Sequence, residues 1–217
     1  MKNKIVAFIP ARGGSKGIPK KNLANLNGKP LLYYSIESAK NTSKIDEVWV
    51  SSDSEEIINF SKLQGVKTLR RPEHLCHDSA TSESAIEHFC ENVEFDTMVF
   101  IQATSPLISN TMLDDALTAH FSDERDSTVS GFLDHGFWWN DDGPMFDPLS
   151  RPTRQMQGNM YKESGMFYIT SKERFLSSKC RYSGVSKIYE VDRISSLEVD
   201  AYEDLKLIEH IIRSRDV

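Results

Sequence analysis

Phe8-Ile-Pro-Ala-Arg-Gly-Gly-Ser-Lys-Gly-Ile-Pro-Lys-Lys-Asn22 ends a short apolar strand with a glycine-rich loop carrying Arg12, Lys16, Lys20 and Lys21. Glycine lets backbone N–H groups approach an anion closely, and the cations supply charge for it. Residues 1–36 hold seven Lys/Arg and no Asp/Glu, although the whole chain has a formal charge of −6. Four cations around three glycines would repel one another without a counter-anion. This local reversal of sign points to a polyanionic small ligand, a nucleoside triphosphate above all.

The loop is neither of the common phosphate motifs. Gly28-Lys29 is followed by Pro30 rather than Ser/Thr, with no glycine five residues earlier, so it is not a P-loop. Gly13-Gly14-Ser15-Lys16-Gly17 lacks the spacing of a dinucleotide fingerprint.

Outward from the loop, strand-like runs at 4–9, 47–51, 66–70 and 97–102 alternate with helix-like spacing at 31–40, 54–64, 82–93 and 109–121. Strands separated by single helices predict parallel pairing in a doubly wound α/β sheet. Ligands of such sheets sit beyond the carboxyl ends of the strands, near a topological switch point. The glycine loop, Ser51-Ser52-Asp53 and Gln102-Ala-Thr-Ser-Pro106 each follow a strand and should gather at one rim. The alternation breaks at 130–163, where His135–Pro144 reads as a hairpin or irregular arm turning at Asp142-Gly143. The adjacent Trp138 and Trp139 suit either a subunit contact or a satellite core on the same chain. Regular structure resumes as a strand at 165–170, a short helix, a strand at 185–191 and a helix at 201–213. The whole chain, 1–217, reads as a single domain with 130–163 inserted as an arm.

With 217 residues, 39% hydrophobic and 27% charged, the chain is long enough for one full core and ordinary for a soluble protein. A net negative charge with one basic loop, rather than a basic face, argues against nucleic-acid binding. No apolar run approaches a membrane span, and the stretch after Lys4 breaks at Pro10, too soon for a signal peptide. Three scattered cysteines (Cys76, Cys90, Cys180) fit reduced thiols in a cytoplasm. His74-Leu75-Cys76-His77-Asp78 offers no second ligand pair for zinc and reads as a polar loop. Glu198-Val199-Asp200 reads as a strand with both carboxylates on one face, a donor set that suits Mg²⁺ beside substrate phosphates. No Ser/His/Asp order or activated cysteine is visible, so covalent catalysis lacks a nucleophile.

Assembled, these residues resemble the CMP-sialic acid synthetases (N-acylneuraminate cytidylyltransferases). The match opens at Ile9–Asn22, which is similar to that family's signature loop. It continues through Gly28-Lys-Pro-Leu31, Val50-Ser-Ser-Asp53, Arg70-Arg-Pro72, Asp78-Ser-Ala-Thr-Ser82, Gln102-Ala-Thr-Ser-Pro-Leu107, Arg151-Pro-Thr-Arg-Gln155, Tyr161-Lys-Glu-Ser-Gly165 and Glu198-Val-Asp200. The resemblance implies a Rossmann-like, doubly wound, mostly parallel sheet, a homodimer held by an arm, and transfer of CMP from CTP to a nine-carbon acidic 2-keto sugar with Mg²⁺. It implies that Arg12, Lys16 and Lys21 bind the triphosphate on the loop of Gly13, Gly14 and Ser15, and that Asn22, Arg71 and Ser82 hold the nucleoside. It also implies that Gln102 and Tyr161 face the sugar, that Arg154 reaches the sugar carboxylate or, as a catalytic group, the reacting phosphate, or alternatively forms an interface salt bridge, and that Glu198 and Asp200 ligate the metal. Glu198 departs from the Asp common in bacterial members, and Tyr161–Gly165 departs from their usual Asn before the glycine. The choice among sialic, legionaminic and pseudaminic acids stays open. So do two alternatives: activation of the eight-carbon 3-deoxy-manno-octulosonic acid, and a CTP-binding regulatory protein without turnover.

Overall fold

Strand β1 (Ile5–Pro10) is buried on both faces, because its side chains alternate between two helical layers. Ile5, Ala7 and Ile9 join one apolar cluster and Val6 and Phe8 another. The computed structural model describes residues 3–153, 155–156 and 158–215. After β1 come a short hairpin of β2 (Asn25–Leu26) and β3 (Lys29–Pro30), α1 (Leu31–Lys40), β4 (Glu47–Ser52), α2 (Glu55–Leu63) and β5 (Lys67–Arg70). Next are α3 (Ser82–Asn92), β6 (Thr97–Ile101), α4 (Asn110–Ser122), β7 (Ser127–Leu133) and a second hairpin of β8 (Trp139–Asn140) and β9 (Gly143–Pro144). The chain closes with β10 (Tyr161–Ser171), α5 (Lys172–Ser178), β11 (Ser186–Glu190) and α6 (Tyr202–Arg215).

The seven long strands form one sheet in the order β11-β7-β10-β6-β1-β4-β5. Only β10 runs against its neighbours β6 and β7; the other pairings are parallel. The expected doubly wound, mostly parallel α/β sheet is therefore present. Leu32, Ile36 and Ala39 of α1 pack with Leu113, Ala116 and Leu117 of α4 on one face. On the other, Ala85, Ile86 and Phe89 of α3 meet Phe8 and Phe100, with Phe8 and Phe89 stacked at 4.3 Å. Each fully buried Phe or Leu stabilises the sheet by roughly 1.5–3 kcal/mol relative to exposure. Ser54, Thr81, Ser109 and Ser171 cap α2, α3, α4 and α5 through their side-chain oxygens, which fixes where those helices start.

Three expectations need correction. The arm is shorter than 130–163, because 130–133 belong to β7 and 161–163 to β10, leaving 134–160 outside the main sheet. β7 itself escaped the periodicity reading: Ser127-Thr-Val-Ser-Gly-Phe-Leu133 has too few apolar residues to declare a strand, yet five of its seven are buried. Glu198–Asp200 forms no strand; the Val199 N–H donates to Thr104 O at 2.8 Å.

A third apolar cluster positions the site. Ile18, Leu26, Leu31 and Leu107 pack against Val199 and against Leu205 and Ile208 of α6. The last helix thus clamps the glycine loop from outside the sheet.

Candidate active site

The chain winds outward from β1 through β4 to β5, then crosses back to place β6 on the other side of β1. Loops leaving the carboxyl ends of β1 and β6 part there, as switch-point geometry requires. Between them opens a cleft of about 430 Å³. Arg12, Gly14, Ser15, Lys16, Lys21, Asn22, Arg71, Ser82, Gln102 and Asp200 line it. Of the residues named from sequence, Gly13, Tyr161 and Glu198 stand outside this lining, and Arg154 lies outside the described residues.

Local chemistry shapes the glycine loop. Ser15 Oγ donates to Ile18 O and accepts the Lys21 N–H at 3.0 Å, curling residues 15–21 into one turn. The Gly13 N–H donates to Asp53 Oδ1 at 2.8 Å, so that group is already engaged. The N–H groups of Gly14, Ser15, Lys16 and Gly17 make no hydrogen bond among the described residues. Successive free backbone donors beside cations form an anion-binding concavity. Asn22, buried, donates from Nδ2 to Arg12 O at 2.9 Å and ties the end of the turn to its start.

The four cations are not left unpaired. Arg12 Nη1 and Lys16 Nζ reach the two oxygens of Asp78 at 2.9 and 3.0 Å, Lys20 pairs with Glu56, and Lys21 Nζ pairs with Asp200 Oδ1 at 3.0 Å. Repulsion within the loop is therefore relieved by the protein itself, which weakens that step of the sequence argument. Lys16 and then Arg12 hold the Asp78 carboxyl below its ordinary range. Asp78, Asp53 and Cys76 were not assigned roles from sequence. The unanswered charge of the loop was the signal that could have found Asp78.

The far lip carries Arg71, Ser82 at the start of α3, and Gln102 just past β6, whose N–H is fixed by Met166 O at 2.9 Å. Glu198 sits behind the cleft, with Ser105 Oγ at 3.4 Å from its Oε1. Burial, and next the charge of Asp200, raise its pKa. Gly165 makes room for it: φ is +74°, and an added Cβ would lie 2.7 Å from Glu198 Oε1. Tyr161 is elsewhere, on the start of β10, donating to Glu190 Oε2 at 3.2 Å. Among the described residues no group of three or more His, Cys, Asp or Glu could hold a metal.

Fold and site together define an α/β protein with a cationic, donor-rich cleft at the switch point of its sheet. The family model described as cytidylyltransferase matches residues 6–211, and the chain belongs to that family. It is 34% identical to N-acylneuraminate cytidylyltransferase A of Danio rerio, over 94% of this chain and 50% of that protein. It is 30% identical to the pseudaminic acid cytidylyltransferase of Campylobacter jejuni, over 95% of this chain and 94% of that protein. The chain spans about half the length of the Danio rerio and Oncorhynchus mykiss relatives it matches. Its fold is shared by CMP:2-keto-3-deoxy-manno-octonic acid synthetase complexed with CTP, at 18% identity and a TM-score of 0.75, covering 98% of this chain and 100% of that one.

Proposed function

We propose that this protein transfers CMP from CTP to a nine-carbon, sialic-type 2-keto acid sugar and releases pyrophosphate. One observation carries the reading: four backbone donors at Gly14–Gly17, unpaired among the described residues, share a cleft with Arg12, Lys16 and Lys21, opposite Arg71 and Ser82. The names of the relatives, N-acylneuraminate and pseudaminic acid cytidylyltransferases, support the sugar class.

In this reading the triphosphate lies on the glycine loop and the nucleoside toward Asn22, Arg71 and Ser82. The anomeric hydroxyl of the sugar attacks the α-phosphorus and gives up its proton to solvent; a P–O bond forms, the bond from the α-phosphorus to the bridging β-phosphate oxygen breaks, and pyrophosphate leaves. Arg12 and Lys16 neutralise the charge growing on that leaving group, and Lys21 holds the phosphates. No enzyme nucleophile is needed, because positioning and charge neutralisation supply the catalysis. Gln102 hydrogen-bonds the sugar from the β6 side. Tyr161 and Arg154 remain sugar-side assignments by resemblance.

Glu198 and Asp200 fit Mg²⁺, which takes one or two carboxylates and completes its shell from phosphate and water. Burial, and next the charge of Asp200, disfavour the ionised Glu198 carboxylate, and a bound divalent cation would offset both. When bound, such an ion supplies polarisation of the phosphate.

The functional unit in this reading is a homodimer in the cytoplasm, in keeping with three unbridged cysteines. The arm presents Trp139, Met145, Leu149 and Met156 to solvent, each more than 60% exposed, and Met145 and Met156 line an apolar hollow of about 380 Å³ with Phe137, Trp138 and Phe146. A second copy covers this surface.

The test is pyrophosphate release from CTP and Mg²⁺ with a panel of acidic sugars. Turnover with a nine-carbon acid is the expected result. Turnover confined to the eight-carbon octulosonic acid, or CTP binding with no turnover on any sugar, would overturn it.

A further inference from the structure

Cys76 does not line the cleft, yet it touches both arginines that do. Its Sγ accepts the Arg71 Nε–H at 3.0 Å, and its carbonyl oxygen accepts from Arg12 Nη1 at 3.4 Å. Arg71 is only 5% exposed, and among the described residues it pairs with no carboxylate and makes no other side-chain hydrogen bond. The Nη donors of a buried guanidinium that faces the cleft are thus left for a ligand. A carboxylate at position 76 would pair with those donors; a thiol, a weak acceptor, orients Nε and leaves the rest.

The same thiol faces Asp53, whose Oδ1 holds the Gly13 N–H at 2.8 Å. Burial raises the Cys76 pKa and the Asp53 charge adds to the rise, while Arg71 opposes it. The sulfur therefore stays protonated at neutral pH, an acceptor toward Arg71 and a weak donor toward Asp53.

We propose that Cys76 is a positioning residue for the nucleotide: its thiol aims the Arg71 guanidinium and its carbonyl aims Arg12, coupling both ends of the cleft. The inference rests on the cytidylyl-transfer reading. The full chain, its Cys76→Ala and Cys76→Ser variants, Arg71→Ala and the Arg71→Ala/Cys76→Ala double variant are titrated with CTP in metal-free buffer. Cys76→Ala should weaken CTP binding about tenfold, the cost of an unsatisfied buried donor, and in the Mg²⁺-containing pyrophosphate-release assay raise the KM for CTP by a similar factor with a smaller effect on kcat. Cys76→Ser should recover most of the affinity. In the Arg71→Ala background the Cys76 change should add nothing.

Unaltered CTP affinity in Cys76→Ala, or an equal loss with and without Arg71, would overturn the inference and leave Cys76 a packing residue. If Cys76→Ala does not fold, Cys76→Val keeps the bulk without the hydrogen bonds and takes its place. Wild-type protein that ignores CTP would instead sink the cytidylyl-transfer reading, and this inference with it.

Discussion

Lys16 is the most exposed of the charged groups on the glycine loop, with 80% of its side chain in solvent and Asp78 as its ion-pair partner. An exposed ion pair contributes little to stability. Lys16→Ala should therefore leave the melting temperature within about a degree of wild type. Turnover should fall by about 10²–10³, the loss typical of removing a charge-stabilising donor. Glu198 is the opposite case, a carboxyl whose pKa burial and Asp200 raise. A raised folded pKa favours the protonated form, so that stability is present below the unfolded value and lost as pH rises through the folded one. Without metal, Glu198→Gln should match wild type in melting temperature near pH 4. Its melting temperature should exceed that of wild type by a margin that grows as pH rises from there toward 7 and charges the buried carboxyl. A constant difference across that range would remove the buried charge from the account.

Elements reveal how these residues are brought together. The glycine loop is held by α6 and the 198–200 segment rather than by the sheet alone, through Ile18, Val199, Leu205 and Ile208. Gly17 allows that approach: a Cβ there would lie 2.5 Å from Asp200 O. Gly17→Ala should push the loop and the acidic segment apart, costing about 1–3 kcal/mol of stability as overpacking does. Magnesium-dependent turnover, read by pyrophosphate release, should drop more steeply than CTP affinity; equal losses would mean that the two segments do not act as a unit. The alternation of strands with helices made β1, β4, β5 and β6 legible: β1, β4 and β6 are mostly buried parallel strands with their own apolar signal, whereas β5 is a half-exposed strand at the sheet edge. β7 and the antiparallel course of β10 were not legible, since Ser, Thr and Gly fill a strand whose burial comes from its neighbours. Much of the cleft lining followed from rim geometry and the resemblance. Asp53 was placed at that rim, but its bond to Gly13 and the contact of Cys76 with Arg71 were not legible, because a side-chain hydrogen bond between loop residues leaves no periodic trace in sequence.

Across the whole molecule, the three apolar clusters account for the sheet and its clamp, while the arm stands apart from them. Trp138 and Trp139 are 45% and 65% exposed, and their neighbours are Lys162, 5.6 Å over the first ring, and Phe146 against the second. In the proposed homodimer this exposed surface is what a second copy covers. A Trp138→Ser/Trp139→Ser double variant should sediment as a monomer at concentrations where wild type sediments as a dimer; unchanged sedimentation would place any interface elsewhere. The account as a whole depends on the cationic loop receiving a nucleotide's phosphates at the switch point of the sheet. A crystal structure with CTP and Mg²⁺ measures this most directly. The account predicts the triphosphate on the N–H groups of Gly14–Gly17, with Arg12 and Lys16 turned from Asp78 to the phosphates. CTP bound elsewhere, with the Asp78 pairs intact, would contradict it.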